Sequence, residues 1–185
     1  MSTLRKLESF TVDQYLEGER QADIRHEYVR GAIQAMVGAS VRHNLLAGSL
    51  AAMFRVHLRG TPCHVLQSDM KVRIDDVFYY PDLMVTCGPL DLAAYYQTSP
   101  TLIVEILSQS TAAKDRLEKR VAYQQLSSLK EYALLVQDDL KIEVIRRKDG
   151  GWMVETFSRG DTVRFDSIDF DVPIQELYAE VLELQ

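Results

Sequence analysis

One carboxylate stands inside an otherwise apolar run, Glu105 in Leu102-Ile103-Val104-Glu105-Ile106-Leu107. A second, Asp82, follows Tyr80-Pro81 and heads the apolar run Leu83-Met84-Val85. An ionised carboxylate isolated in such surroundings is costly, so each acid should be paired, hydrogen-bonded or bound to a cation. Hard divalent cations take oxygen ligands, and two acids on two core strands are ligands of that kind. Lys119 lies on the helix expected next, where an ammonium beside a metal site can serve an oxyanion. The blander alternative is a strand-end acid, a buried ion pair, and a Lys119–Asp115 i,i+4 pair on a solvated helix. Ala122, Tyr123 and Leu126 share the face of Lys119, which favours packing that face inward.

Two further residues are weaker candidates. Glu27, next to Tyr28 in a short strand, is either a third acid or an ordinary exposed residue. His43 falls one turn into a long helix, on a face with Leu46, Ala47 and Leu50, where a histidine is more often a core or helix-end residue. His26, His57 and His64 lack metal-ligand spacing. The chain has no Gly-rich phosphate loop, no G-x-S-x-G elbow and no zinc pattern. Ser108-Gln109-Ser110-Thr111 reads as helix-entry polarity.

The elements that must position these residues follow from periodicity and punctuation. Thr11 caps a short helix over Val12 to Glu19, and Ser40 caps a long one to about Leu58 that Gly60-Thr61-Pro62 ends. Short strands are expected at His26 to Val29 and Ala32 to Val37, joined at Arg30-Gly31. Cys63 to Leu66 and Asp69 to Ile74 follow, then Phe78 to Thr86, with Pro81 near a strand start, an edge or a bulge. Gly88 to Pro100 reads as a loop with one helical turn around Leu92 to Tyr96. Thr101 to Leu107 is a strand covered on both faces, leading into a helix from about Ala112 to Leu126. Strands at Glu131 to Val136, Leu140 to Arg147, Trp152 to Phe157 and Thr162 to Phe165 precede a last amphipathic helix carrying Ile174, Leu177, Tyr178, Val181 and Leu182.

The whole chain sets bounds on function. Its 185 residues, 46% apolar and 26% charged, suit one soluble globular domain over 1–185, with no repeat or linker. No apolar run approaches the roughly 20 residues that span a bilayer, and no signal-peptide h-region follows the N-terminus. No membrane association and a cytoplasmic location are the expectation. Cys63 and Cys87 are expected as separate, reduced structural thiols, having no C-x-x-C spacing. A net charge of −6 argues against a general phosphate-coating surface, although a local basic patch can still guide nucleic acid.

The string His26-Glu27-Tyr28-Val29-Arg30-Gly31, the segment Gly38-Ala39-Ser40 to His43-Asn44-Leu45, Tyr80-Pro81-Asp82 and Leu102 to Ser108 together resemble the Uma-type endonuclease family. Asp115, Lys119, Tyr123 and Glu131-Tyr132 extend the resemblance over nearly the whole chain. That family belongs to the restriction-endonuclease-like, PD-(D/E)XK superfamily. The resemblance implies an α/β (α+β) restriction-endonuclease-like core, with a central mixed sheet flanked by helices, usually as a homodimer. It also implies Mg²⁺-dependent hydrolysis of DNA phosphodiester bonds, with Mn²⁺ as a second possible metal.

Carried over by position, Asp82 matches the motif aspartate and Glu105 the second acid. The superfamily lysine would fall at Leu107 and is missing; Lys119 matches the lysine that the family takes from the following helix. Glu27 matches a further acid near the site. Asp82, Glu105 and the backbone carbonyl of Ile106 would hold one or two metal ions, Lys119 would orient the attacking water or stabilise the phosphate, and Glu27 would assist. Two departures stand out: Arg30-Gly31-Ala32 where the family has Asn-Gly-Glu, and Ser108-Gln109-Ser110 where a proline is usual. The acidic net charge, the displaced lysine and the Arg30 and Ala32 departures lend weight to a competing reading, a nuclease fold of weak or no activity serving as a DNA-binding or protein-interaction homodimer. A structural or regulatory homodimer with an unused acidic pocket is a third.

Overall fold

The computed structural model describes residues 9–108 and 111–183. Thr11 and Gln14 close a reciprocal capping box that starts α1 (Val12–Gln21). The hairpin β1 (His26–Val29) and β2 (Ala32–Ala35) turns at Arg30 and Gly31, both at positive φ (48° and 94°). At Gly31 the positive φ favours glycine, and a Cβ there would also make the Ser9 hydroxyl turn away. Ser40 accepts a hydrogen bond from the His43 N–H and caps α2 (Val41–His57).

Then come β3 (Cys63–Gln67), β4 (Lys71–Ile74), β5 (Val77–Tyr79), β6 (Leu83–Cys87), the short β7 (Tyr96–Gln97) and β8 (Leu102–Leu107). A helical segment follows, α3 (Ala112–Lys114), a π-helical turn (Asp115–Lys119) and α4 (Arg120–Tyr123). The chain closes with β9 (Glu131–Val136), β10 (Lys141–Lys148), β11 (Gly151–Ser158), β12 (Thr162–Phe165), β13 (Phe170–Pro173), α5 (Ile174–Leu177) and α6 (Ala179–Glu183).

The fold is mixed α+β, with mixed sheets flanked by helices. A six-stranded sheet in the order β11-β10-β9-β8-β6-β3 is antiparallel except where β8 runs parallel to β9. A five-stranded sheet in the order β2-β1-β5-β4-β7 lies beside it, and β12 pairs with β13. On one face of the larger sheet, Leu46, Leu50 and Phe54 of α2 pack on Leu83, Val85, Leu102 and Val104, joined by Ile174, Leu177 and Tyr178. On the other face, Met84, Ile103, Leu107 and Leu134 meet Val72, Ile74 and Tyr79 of the smaller sheet and Tyr123 and Leu126. Because side chains alternate along β8, Glu105 points to the same side as Ile103 and Leu107, into this second core. Tyr15, Tyr28 and Phe78 form a third cluster under α1, with the two tyrosine rings stacked at 5.0 Å.

Several sequence expectations need correcting. The strand expected over Phe78 to Thr86 is two strands in different sheets, because Pro81 has no N–H to continue a ladder and the chain crosses from one sheet to the other at Tyr80-Pro81-Asp82. The helix expected to Leu126 ends at Tyr123 and carries a π-helical turn, and the last helix is interrupted at Tyr178. Tyr96–Gln97 is a short strand where a helical turn was expected. Cys63 and Cys87 are direct partners in the β3/β6 register and form a disulfide, where separate thiols were expected. Strand pairing brings them together, and no local spacing could signal it.

Candidate active site

The site lies where β6 and β8 stop pairing and the helical segment crosses over them. The last register pair of these antiparallel strands is Leu83 with Val104. One more step of that register sets Asp82 opposite Glu105. Asp82 Oδ2 accepts a 2.7 Å hydrogen bond from the Ile106 N–H. In an extended strand a residue's N–H and C=O face the same side, so the Ile106 carbonyl also faces Asp82.

Lys119 is the hub. Its Nζ lies 3.0 Å from Glu105 Oε1, 3.1 Å from Glu27 Oε1 and 3.2 Å from Asp115 Oδ1, with the Tyr79 ring centroid at 5.6 Å. The π-helical turn, an insertion that often marks functional sites, directs both Asp115 and Lys119 inward. The Lys119–Asp115 pair is therefore buried, not the solvated i,i+4 pair of the blander reading. Glu27 is buried as well, and its Oε2 holds Lys114 Nζ at 2.6 Å. Tyr123 donates a 2.7 Å hydrogen bond to Glu105 Oε1, and Tyr132 donates to the Asp115 carbonyl at 3.1 Å.

Electrostatics follow from burial. Glu105 is pushed well above the usual carboxylate range, first by burial and then by Asp82 and Asp115; Lys119 and Tyr123 offset only part of this. Asp115 is raised by burial against the opposing pull of Lys119. Burial disfavours the Lys119 ammonium, but Glu105, Glu27 and Asp115 outweigh it and hold the proton on Nζ.

His43 belongs here too. Its Nε2 sits 3.1 Å from Asp82 Oδ2, so α2 presents its first turn to the site. Burial works against the charged ring, but Asp82 more than compensates and raises His43 above its ordinary value.

The donor set suits a hard dication. Each acid uses one oxygen: Asp82 Oδ1 and Glu105 Oε2 accept no hydrogen bond among the described residues. These two oxygens and the Ile106 carbonyl are the groups that could hold such a cation, with water in the remaining positions, as Mg²⁺ prefers. No cluster of three or more His, Cys, Asp or Glu side chains forms a ready-made cation cage among the described residues.

A model of the Uma2 family, described as "Putative restriction endonuclease", matches residues 12–174. The chain belongs to this family. Two Synechocystis sp. proteins of the PCC 6803 strain are similar to it, the uncharacterized proteins slr1290 and sll1609. The first is 33% identical over 170 residues, 90% of each chain. The second is 31% identical over 150 residues, 78% of this chain and 85% of its own. Among solved structures, "a putative nuclease belonging to DUF820" from Anabaena variabilis superposes with a TM-score of 0.73 at 18% identity, over 92% of this chain and 98% of that one. At that identity the likeness shows a shared fold.

In this Uma2 chain Leu107 is packed in the apolar core, and the amine beside the acids comes from the π-helical turn. Of the side chains singled out in the sequence, Glu105 and Glu27 meet Lys119, Asp82 binds the N–H of Ile106 next to Glu105, and the weaker candidate His43 meets Asp82. Sequence reasoning missed Lys114, Tyr123 and the Asp82 contact of His43. A signal for Tyr123 was present, since it lies one helical turn beyond Lys119 on the same face.

Proposed function

We propose that this Uma2 chain, read as one domain over 1–185, is a metal-dependent endonuclease that hydrolyses DNA phosphodiester bonds. The observation that supports it best is the gathering of Asp82, Glu105 and Lys119, with one oxygen of each acid accepting no hydrogen bond among the described residues. The family description and the name of the Anabaena protein point the same way. Asp82 Oδ1, Glu105 Oε2 and the Ile106 carbonyl would hold Mg²⁺ or Mn²⁺. When bound, the metal supplies charge neutralisation at the phosphate and acidifies water.

The chain's own groups do the rest. Lys119 carries a proton on Nζ and presents positive charge to a developing phosphate oxyanion. Glu27 and Asp115 fix that ammonium, and Tyr123 fixes the Glu105 carboxylate. His43 Nε2, 3.1 Å from Asp82 Oδ2, holds that carboxylate in one orientation.

A cytoplasmic location is proposed together with the DNA substrate; the Cys63–Cys87 disulfide weighs against that location. No described helix is long and apolar enough to cross a membrane. We also propose a homodimer: β11 is an edge strand of eight residues that exposes Met153 and Val154, which suits a second copy.

A non-catalytic DNA-binding or protein-interaction module is the second reading, favoured by a Lys119 ammonium already surrounded by three carboxylates. The deciding experiment incubates purified protein with plasmid and oligonucleotide DNA in Mg²⁺ or Mn²⁺, beside Asp82→Ala. Metal-dependent cleavage lost in a folded Asp82→Ala supports the nuclease. Binding without cleavage supports the module, and cleavage retained in Asp82→Ala overturns the site.

A further inference from the structure

Behind the candidate site lies a cavity of about 670 Å³ built by α1, the segment before β1, the start of β4, Tyr80 and the loop before β7. Its volume is that of a small-molecule site. Lys71 lines it and is only 7% exposed. Its ammonium has three protons to donate, and its one hydrogen-bond acceptor among the described residues is the neutral Tyr80 hydroxyl at 3.1 Å. Among those residues no carboxylate lies within ion-pairing distance of Lys71 Nζ. A buried cation in that position is costly without an anion. Burial holds its pKa below the ordinary lysine range, with Glu19 offsetting only part.

The acids in the cavity are already engaged. Glu19 accepts from the His26 N–H at 2.9 Å and the Tyr80 hydroxyl at 2.8 Å, and its other oxygen meets His26 Nδ1 at 3.1 Å. Asp69 pairs with Arg25 at 3.3 Å, and Asp91 accepts from the Ala93 N–H. Arg25 is a second cation beside Lys71 on the wall. Tyr95 is 62% exposed and stands at the rim under the Arg20 guanidinium, 5.5 Å from the ring centroid. A buried ammonium that has the Tyr80 ring at 5.1 Å but no carboxylate partner among the described residues, a guanidinium paired only with the exposed Asp69, and an aromatic ring with Arg20 over one face are complementary to a phosphate joined to a base.

We propose that this cavity is a nucleotide-binding site, with the phosphate on Lys71 and Arg25 and the base stacked on Tyr95. Tyr80, on the cavity wall, and Asp82 are two residues apart, at most about 7 Å between Cα atoms, so cavity and candidate active site are neighbours along the chain. That the occupant is a nucleotide of the DNA strand, and not a free nucleotide, rests on the nuclease reading.

The test titrates the Asp82→Ala protein, which keeps the cavity intact and removes hydrolysis, with dTMP, thymidine, inorganic phosphate and a fluorescent ten-residue oligo-dT. The same titrations are made on Lys71→Gln and Tyr95→Ala in that background. The expected result is dTMP binding that thymidine and phosphate do not match, weakened about ten-fold by either substitution. Tyr95 is exposed, so Tyr95→Ala remains informative should Lys71→Gln fail to fold. Oligo-dT weakened by the same substitutions and displaced by dTMP supports the strand as source; dTMP alone affected supports a free-nucleotide site. No dTMP binding, or binding that Tyr95→Ala and a folded Lys71→Gln leave unchanged, overturns the proposal. Cleavage by the wild-type chain is measured separately, so loss of the cavity site and loss of the nuclease reading are distinct results.

Discussion

Lys119 Nζ lies 3.0 Å from Glu105 Oε1, and Glu105 Oε2 accepts no hydrogen bond among the described residues. One oxygen anchors the carboxylate to the helical segment, and in the proposed site the other would bind the cation. On that proposal metal binding and stability are tied together.

Glu105→Gln tests that tie. The amide keeps an oxygen to accept from Lys119 and Tyr123 and removes a charge that burial disfavours, so the metal-free fold should change little. A ligand at a hundred times its dissociation constant stabilises the folded chain by about 2.7 kcal/mol. Thermal melts with and without Mg²⁺ should show that gain in the wild type and its loss in Glu105→Gln. An equal Mg²⁺ gain in both proteins would remove Glu105 from the metal site.

Lys119→Met should act in the opposite way, chiefly on the fold. It leaves Glu105 and Asp115 buried without their cation, and Glu27 with Lys114 alone. Removing one partner from a buried charge cluster costs about 3–5 kcal/mol. Denaturant unfolding of the metal-free variant measures it. A loss under about 1 kcal/mol would mean the acids take up protons instead, contrary to a charged cluster.

How much of this was legible beforehand depends on whether the signal is local. Glu105 announced itself because an acid interrupts Leu102 to Leu107, and Asp82 because it heads the apolar run Leu83-Met84-Val85. Lys119 could be placed inward from Ala122, Tyr123 and Leu126, its neighbours on a helix surface. His43 gave no such sign: its partner is reached only because α2 lays its first turn over the end of β6. The disulfide and the Lys71 cavity are long-range in the same sense, one set by a strand register and the other by segments from Leu16 to Tyr96 meeting in space. The π-helical turn was invisible because its residues have ordinary helical composition.

A control away from the site separates stability from metal response. Arg146 is buried against Glu131, with Nε 2.7 Å from Oε1, and Glu131 in turn accepts from the Asp166 and Ser167 N–H groups. Arg146→Met leaves Glu131 without its cation and should cost about 3–5 kcal/mol. The Mg²⁺-induced gain should persist in the melts of this variant. A lost Mg²⁺ gain would show that the response reports global stability and not the Asp82–Glu105 site.

His43 supplies the most discriminating variant, because it touches one acid and no other predicted site residue. Its Nε2 is 3.1 Å from Asp82 Oδ2, the oxygen that also receives the Ile106 N–H. Without the ring, Asp82 Oδ2 keeps a single anchor, the Ile106 N–H, and the carboxylate can swing. Partners that orient a ligand in this way are worth about 10–100-fold in metal affinity. His43→Ala should therefore raise the Mg²⁺ concentration needed for half-maximal stabilisation by that factor while the metal-free melting temperature moves little. His43→Gln, which restores a donor on a side chain of similar reach, should recover part of the affinity. A purely structural histidine would give the reverse pattern, a lower metal-free melting temperature with an unchanged Mg²⁺ midpoint, and that result would take His43 out of the site.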